Sequence, residues 1–129
     1  MDSGAIRRRL GTGLALLIAS GLLAVAAPGE AQAAGTSCPG RKVRTVPFST
    51  GSVQVYRSGG TVCAFTLAKN PGRKRTMAVS VQARGHRPVP YSGKHKRKTL
   101  TVSVYAGHRC VKVTGRVGGG SGASGWILC

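Results

Sequence analysis

The chain has 129 residues and carries 20 Lys and Arg against 2 acidic side chains, a formal net charge of +18. Both acids, Asp2 and Glu30, precede residue 31, so the rest of the chain has no carboxylate side chain for acid–base or two-metal chemistry. This composition excludes ordinary glycosidases, aspartic proteases and Ser-His-Asp hydrolases, and it favours a partner that is itself a polyanion.

The first predicted element is a secretory signal peptide over 1–33. Three arginines at 7–9 form its positive start, an apolar run covers 10–27, and Ala-Gln-Ala at 31–33 fits a cleavage site. A membrane anchor is the alternative, because the apolar run approaches the length of a short span. Three of the 20 Lys and Arg belong to the signal, which leaves 17 for a single small basic domain over 34–129. We expect this domain to be secreted, either extracellular or loosely associated with the cell envelope.

Short segments rich in Val and Thr follow, and none of them shows apolar residues at helical spacing. The alternation is clearest where Met77, Val79 and Val81 are separated by small or polar residues. Pro47 cannot donate to a ladder and predicts an edge position for the first strand. The chain is predicted to form an all-β fold, a small antiparallel β-sandwich or a small barrel. The predicted strands are 42–48, 52–57, 61–67, 76–83, 99–105, 110–117 and 125–128.

The cysteines predict two disulfides, as is common in small secreted domains. Each bridge is expected to stabilise the fold by about 3 kcal/mol. The spacing contains no Cys-x-x-Cys pair and no carboxylate ligand is at hand, so we expect no metal and no cofactor. The four residues are Cys38, Cys63, Cys110 and Cys129.

A glycine-rich segment joins the last two predicted strands and indicates a hairpin centred at 119–120. That register places Cys110 opposite Cys129, and it therefore favours this pair together with Cys38–Cys63 among three possible connectivities. It also places Trp126 on the core face. A phosphate-binding loop is less consistent, because the segment precedes a strand and lacks a Gly-Lys-Ser/Thr ending.

Residues 73–87 and 96–109 form a short repeat: a basic triplet, a Thr, an alternating strand, then Ala and Gly-His-Arg, with Arg84 as an insertion. Compositional convergence is the alternative, since any Val/Thr strand between basic turns looks similar. If the two strands run antiparallel, each triplet lies beside the Gly-His-Arg of the other copy. If they run parallel, one end of the fold collects both triplets. Either arrangement concentrates positive charge without an internal counter-ion.

The basic turns predict a secreted, non-catalytic domain that binds anionic polymers by electrostatics: cell-wall polymer, nucleic acid or anionic lipid headgroups. Such binding releases counterions, so its affinity falls steeply with salt. Solvated loops that only keep the protein soluble are the alternative. We expect no small-molecule substrate, and the oligomeric state stays open. The predicted polyanion-binding residues are Arg73, Lys74, Arg75, Arg84, His86, Arg87, Lys94, Lys96, Arg97, Lys98, His108 and Arg109.

One catalytic mechanism survives the absence of carboxylates: RNA cleavage by two histidines acting as base and acid beside a cation. The candidates are His86, His95 and His108. In the antiparallel arrangement of the repeat, His86 and His108 lie at opposite ends of the fold, so we expect no enzyme.

Two other functions are alternatives to polymer binding. A cationic antimicrobial or toxin acting on membranes is the first, although the sequence shows no amphipathic helix to insert into a bilayer. The second is a secreted inhibitor that docks the stiff Pro-Val-Pro-Tyr loop at 88–91 into an enzyme cleft.

Three segments carry a resemblance to a known group of proteins: Val-Gln-Val-Tyr at 53–56, Met-Ala-Val-Ser-Val-Gln-Ala-Arg-Gly at 77–85 and Ser-Gly-Trp-Ile-Leu-Cys at 124–129. They resemble small secreted actinomycete proteins that share a four-cysteine layout. The resemblance extends over nearly all of the mature chain. It implies export, disulfides and a β fold, and it carries over no site residues.

Overall fold

The computed structural model describes residues 31–32 and 35–129. Apart from Ala31 and Gln32, the predicted signal peptide lies outside the described residues. The part of the chain that is described contains strands and no helix, and so no helix that could cross a membrane. The strands are β1 Ala31–Gln32, β2 Arg41–Phe48, β3 Gly51–Ser58, β4 Thr61–Ala68, β5 Arg75–Ala83, β6 Val89–His95, β7 Val102–Tyr105, β8 Val111–Val117 and β9 Gly120–Ala123.

The strands form two antiparallel sheets that face each other across an apolar core. The five-stranded sheet has the order β1-β7-β4-β3-β2, and the four-stranded sheet has the order β9-β8-β5-β6. The predicted all-β sandwich is therefore confirmed. Strand β2 lies at a sheet edge, as Pro47 predicted.

Valines dominate the core, which is the inward side of the alternation read in the sequence. Val53 and Val62 from the five-stranded sheet meet Val79 and Val113 from the other, and all four are completely or almost completely buried. Branched side chains suit this position because they pack well on a pleated surface. The buried valine face is therefore what joins the two sheets.

Strand β6 corrects the prediction of a loop at 88–91. Three of these four residues belong to the strand, in which Pro90 lies opposite Ser80 of β5. The sequence missed the strand because proline has no N–H to donate to a ladder. Strand β6 lies at the edge of its sheet, where that loss is tolerated. The proposed inhibitory loop is thus largely part of a sheet.

The predicted strand 99–105 pairs with β4 as a ladder only over its last four residues, as β7. An isolated bridge joins Leu67 to Lys98, one residue out of register with the ladder that pairs Ala64 with Val102. Between them the backbone of Thr101 donates to the carbonyl of Gly35 instead of to β4. The early part of the segment is therefore extended but irregular.

The C-terminal hairpin differs from the predicted register. Gly120 pairs with Val117, so the chain turns at 118–119, one residue earlier than expected. The predicted strand 125–128 is reduced to a single bridge between Val111 and Ile127.

An extra residue explains where the tryptophan goes. The backbone N–H of Ser124 donates to the carbonyl of Val113, and Ile127 is bridged to Val111. Two residues therefore lie between Ser124 and Ile127, whereas only one lies between Val113 and Val111 on the partner strand. Such a bulge turns the intervening side chains to the other face. Trp126 is consequently 37% exposed rather than in the core.

Both predicted disulfides, Cys38–Cys63 and Cys110–Cys129, are confirmed. Strand β1 pairs with β7 although it lies inside the predicted signal. Cleavage after residue 33 stays a prediction, and it would leave β7 as the edge of the five-stranded sheet.

Candidate anion-binding surfaces

The two copies of the repeat run in the same direction on facing sheets. The strand of the first copy is β5 and that of the second is β7. Their C-terminal ends meet, because Ala83 of β5 and Val104 of β7 line the same cavity. Near their starts, both copies contact the buried Thr66 of β4. The N–H of Thr66 donates to the hydroxyl of Thr99, and the hydroxyl of Thr66 donates to the carbonyl of Ala78. Of the two possible arrangements, the structure therefore adopts the parallel one.

This direction divides the cations between the two ends of the sandwich. The triplet end carries residues 73–75 and 96–98. The Gly-His-Arg end carries residues 85–87 and 107–109. The expected separation of His86 from His108, which rested on antiparallel strands, consequently does not apply.

At the triplet end, the two basic loops form one continuous surface. The N–H of Ala68 donates to the carbonyl of Arg97 at 2.8 Å, and the N–H of Gly72 donates to that of Lys96 at 3.3 Å. Where the loops enter the sheet, Arg75 pairs with His95. Backbone hydrogen bonds therefore hold the two triplets next to each other.

Two triplet cations are engaged by the protein itself. The Arg75 guanidinium donates to the carbonyl of Asn70 at 2.6 Å. The Lys98 ammonium donates to the carbonyl of Thr36 at 3.0 Å and lies 5.0 Å from the centre of the Phe65 ring. In a domain without carboxylate side chains, carbonyl oxygens and aromatic faces take over the role of counter-charge.

The other four triplet cations are exposed, and none makes a side-chain hydrogen bond with another described residue. These four, which we call the free triplet cations, are Arg73, Lys74, Lys96 and Arg97. Lys94 is also exposed, on the neighbouring strand β6. Their donors are available to a ligand.

At the Gly-His-Arg end, each copy of the motif lies in a tight turn. His86 and Arg109 both donate their backbone N–H, at 2.9 Å, to the carbonyl of the alanine that follows the alternating residues of each repeat, Ala83 and Ala106. The glycine occupies a different position in each four-residue turn. Gly85 is the third residue of the turn 83–86, with φ of 88°, and Gly107 is the second residue of the turn 106–109, with φ of 60°. The inserted Arg84 causes this offset. Glycine is suited to both places because positive φ strains other residues.

The two turns are joined to each other and to the sheet. The N–H of Arg84 donates to the carbonyl of Cys110 at 2.9 Å. The Arg57 guanidinium donates to Gly107 at 2.7 Å and to Gly59 at 3.2 Å. Arg57 was not among the predicted site residues, and its hydrogen bonds give it a supporting role here.

Trp126 also organises this end. The guanidinium of Arg84 lies 5.4 Å from the centre of the indole, and the ammonium of Lys112 lies 4.7 Å from it. Both distances are those of cation–π contacts. Arg84, a predicted polyanion-binding residue, is therefore engaged by the protein.

A cavity of about 410 Å³ opens between the sheets at the Gly-His-Arg end. Its floor is apolar and comes from both sheets: Ala83, Val89 and Val104. Its rim is polar and cationic, and consists of His86, Arg87, Tyr105 and Arg109. The sequence identified three of these rim residues but missed Tyr105 and the floor, which become a site only when the two sheets face each other.

The three candidate histidines do not form one site. His86 lines the cavity, and His108 occupies the turn beside it without lining it. His95 belongs to β6, where its Nε2 lies 2.8 Å from the Tyr91 hydroxyl. The structure thus brings two histidine-bearing turns to one end but places a single histidine at the cavity.

Comparisons with known proteins add no family to this description. No protein-family model matches the chain, and no curated protein or solved structure matches it significantly. Across residues 31–32 and 35–129, no group of three or more His, Cys, Asp or Glu side chains could hold a metal ion. The two ends of the sandwich are therefore the basis for inferring function.

Proposed function

We propose that the protein is a secreted, non-catalytic β-domain that binds anionic polymers at or outside the cell envelope, through its triplet end. One observation carries the proposal. Two loops that are hydrogen-bonded to each other present four exposed cations in a domain without a carboxylate side chain. No acidic side chain within residues 31–129 neutralises their positive charge, so the negative counter-charge is supplied by a polyanion.

The arrangement suits a chain of repeated phosphate or sulfate groups. Arg73 and Arg97 can each grip such a group with two parallel hydrogen bonds, while Lys74 and Lys96 act as point charges. The backbone bonds between the loops exist before the ligand arrives, so little backbone conformational entropy is lost on binding. Affinity is then driven by counterion release and depends strongly on salt.

The disulfides support the proposed location. Bridges of this kind form and persist outside the cell and are rare in reducing compartments. Every cysteine of the chain is paired. The polymers met by a secreted domain include wall polymers and extracellular nucleic acid, and both are polyanions.

The test removes only the free triplet cations. Arg73, Lys74, Lys96 and Arg97 are changed together to Gln, and Arg75 and Lys98 are kept because they hold the loops. The variant should elute from heparin or phosphocellulose at much lower salt. The slope of log affinity against log salt should fall by about 3 to 4, close to one for each anionic group of the polymer that is no longer neutralised.

The matched control removes the same number of charges from exposed cations outside both ends' free sets, by changing Arg41, Lys42, Arg44 and Arg116 to Gln. It should retain most of the wild-type affinity for the polymer. Equal loss in both variants would show that net charge alone governs retention and would reject the triplet end as the site. Dye release from anionic vesicles at low protein concentration would instead support the membrane-active alternative.

A further inference from the structure

We propose that the cavity at the Gly-His-Arg end is a second site, which binds a small amphipathic anion. The ligand class is a phosphate, sulfate or carboxylate head on an apolar body about the size of an aromatic ring. This site goes beyond polymer binding, because a polymer lying on a basic surface needs cations but has no use for an apolar recess.

The apolar floor of the cavity indicates that the ligand has an apolar body. Ala83 is 3% exposed and Val104 is 6% exposed, and the half-buried Val89 completes the floor from β6. A bare inorganic anion gains nothing from contact with these side chains and loses hydration there. A ring or short alkyl group gains by leaving water. The volume of about 410 Å³ lies within the range of roughly 300 to 1,000 Å³ that is usual for small-ligand sites.

The rim supplies the groups that hold the head. Arg87 and Arg109 come from the two turns, both are exposed, and neither makes a side-chain hydrogen bond within the described part of the chain. Arginine donors match the oxygens of phosphate, sulfate and carboxylate two at a time. His86 adds a ring N–H on the same rim.

Two other arginines of this end are already engaged by the protein. Arg57 donates to the carbonyls of Gly107 and Gly59, and Arg84 packs on Trp126. The protein therefore uses two arginines to hold the turns and leaves the two at the cavity free. Neutralising the free pair removes ligand-binding groups without removing these supports.

The cavity is held by supports that exist without a ligand. The disulfide of Cys110 with Cys129 lies next to Arg109 in the chain. The Tyr105 ring packs on glycine backbone, since a Cβ added at Gly60 would lie 2.6 Å from the ring and one at Gly107 would lie 3.6 Å from it. A preformed rim of this kind lowers the entropy lost on binding.

The experiment titrates the full protein with three probes: phenyl phosphate, inorganic phosphate and phenol. Binding is followed through the methyl NMR signals of Val89 and Val104. Phenyl phosphate should bind at least tenfold more tightly than either of its two parts, with shifts centred on these methyls. Inorganic phosphate should perturb cations at both ends and leave the valine methyls almost unchanged.

Variants then separate this site from the polymer site. Changing Arg87 and Arg109 together to Gln should weaken phenyl phosphate at least tenfold, whereas changing Arg41 and Arg44 should leave it unaltered. Tyr105→Ala should weaken phenyl phosphate more than inorganic phosphate, because it removes an aromatic ring that can pack on the phenyl group. Tyr105→Phe, which keeps that ring and its packing on Gly60 and Gly107, should restore most of the difference. Replacing the four free triplet cations should make the protein elute from heparin at much lower salt without changing phenyl phosphate affinity.

Three results would overturn the second site. They are equal affinity for phenyl phosphate and inorganic phosphate, unchanged phenyl phosphate affinity in the Arg87 and Arg109 variant, or phenyl phosphate shifts that are as large at the triplet end as at the cavity. Each of them leaves the heparin result intact. Conversely, loss of the polymer proposal leaves the phenyl phosphate titration interpretable, so the two proposals stand or fall separately.

Discussion

The two ends of this sandwich start from the same repeated motif and yield different surfaces. The triplet end presents free cations on loops that are held by backbone hydrogen bonds. The Gly-His-Arg end gathers its cations around an apolar recess and is tied by the Cys110–Cys129 bridge. The difference arises because the repeated strands run in the same direction on facing sheets, so like sequence elements meet.

The comparison also shows how a domain without acids uses its cations. At each end, some cationic side chains form hydrogen bonds or cation–π contacts within the protein. They are Arg75 and Lys98 at the triplet end, and Arg57 and Arg84 at the Gly-His-Arg end. Hydrogen bonds at such exposed or partly buried positions contribute about 0.5 to 1.5 kcal/mol each, and exposed cation–π contacts contribute about 0.5 to 1 kcal/mol. The remaining cations repel one another and are the ones available to an external anion.

Removing the C-terminal disulfide should have the largest effect and should separate the two ends. Changing Cys110 and Cys129 to Ser frees a loop with a sequence separation of 19, which should lower the free energy of unfolding by about 3 kcal/mol. Urea denaturation measures this change. Phenyl phosphate affinity should also fall, because Arg109 adjoins the bridge.

Heparin retention of the same variant should stay near the wild-type value under conditions where the protein is folded, since the triplet end contains no cysteine. A parallel loss of polymer binding would mean that the two ends are not structurally independent. Unchanged phenyl phosphate affinity would show that the bridge does not position the rim of the cavity.

A smaller effect is expected from Thr99→Val, which tests the hydrogen bonds on which the triplet end relies. The hydroxyl of Thr99 accepts the N–H of Thr66 at 3.0 Å, and both residues are buried. Leaving that N–H without a partner should lower the free energy of unfolding by about 2 kcal/mol.

The control is Thr76→Val, the same change at an exposed strand position, which should alter stability by less than about 0.5 kcal/mol. Equal effects of the two substitutions in thermal or urea unfolding would contradict the role given to Thr99.

Much of the fold could be predicted because it depends on local periodicity. Valines at alternate positions determine which face of β5 is buried, and the acid-free composition makes disulfides and an apolar core the main stabilising terms. The failures have local causes. Pro90 concealed an edge strand, and one extra residue near Trp126 reversed the face on which that side chain lies.

The site could be predicted only as a set of separate residues. Sequence identifies Arg87 and Arg109 as basic turn residues but does not say that the turns adjoin, because that depends on how two sheets stack. Tyr105 and Val104 become part of a site only through the same packing. Nor does sequence distinguish free from engaged cations: Lys96 and Lys98 are two residues apart in one triplet, yet only the Lys98 side chain is bonded within the described chain.

That pair of lysines allows the finest test of the division between engaged and free cations. Lys98→Gln removes the hydrogen bond to Thr36 and the cation–π interaction with Phe65, and it should lower the free energy of unfolding by about 1 kcal/mol. Lys96→Gln removes a free charge and should change stability by less than about 0.5 kcal/mol, with any gain due to reduced repulsion. Urea denaturation at low salt measures both.

Polymer binding should show the opposite order. Lys96→Gln should reduce the salt slope of heparin affinity by about 1, as expected when one anionic group of the polymer is no longer neutralised. Lys98→Gln should reduce it by less, because its ammonium already has a carbonyl and a ring as partners. If the two variants match in both stability and salt slope, the interactions of Lys98 with Thr36 and Phe65 contribute nothing, and the division between engaged and free cations is wrong at this end.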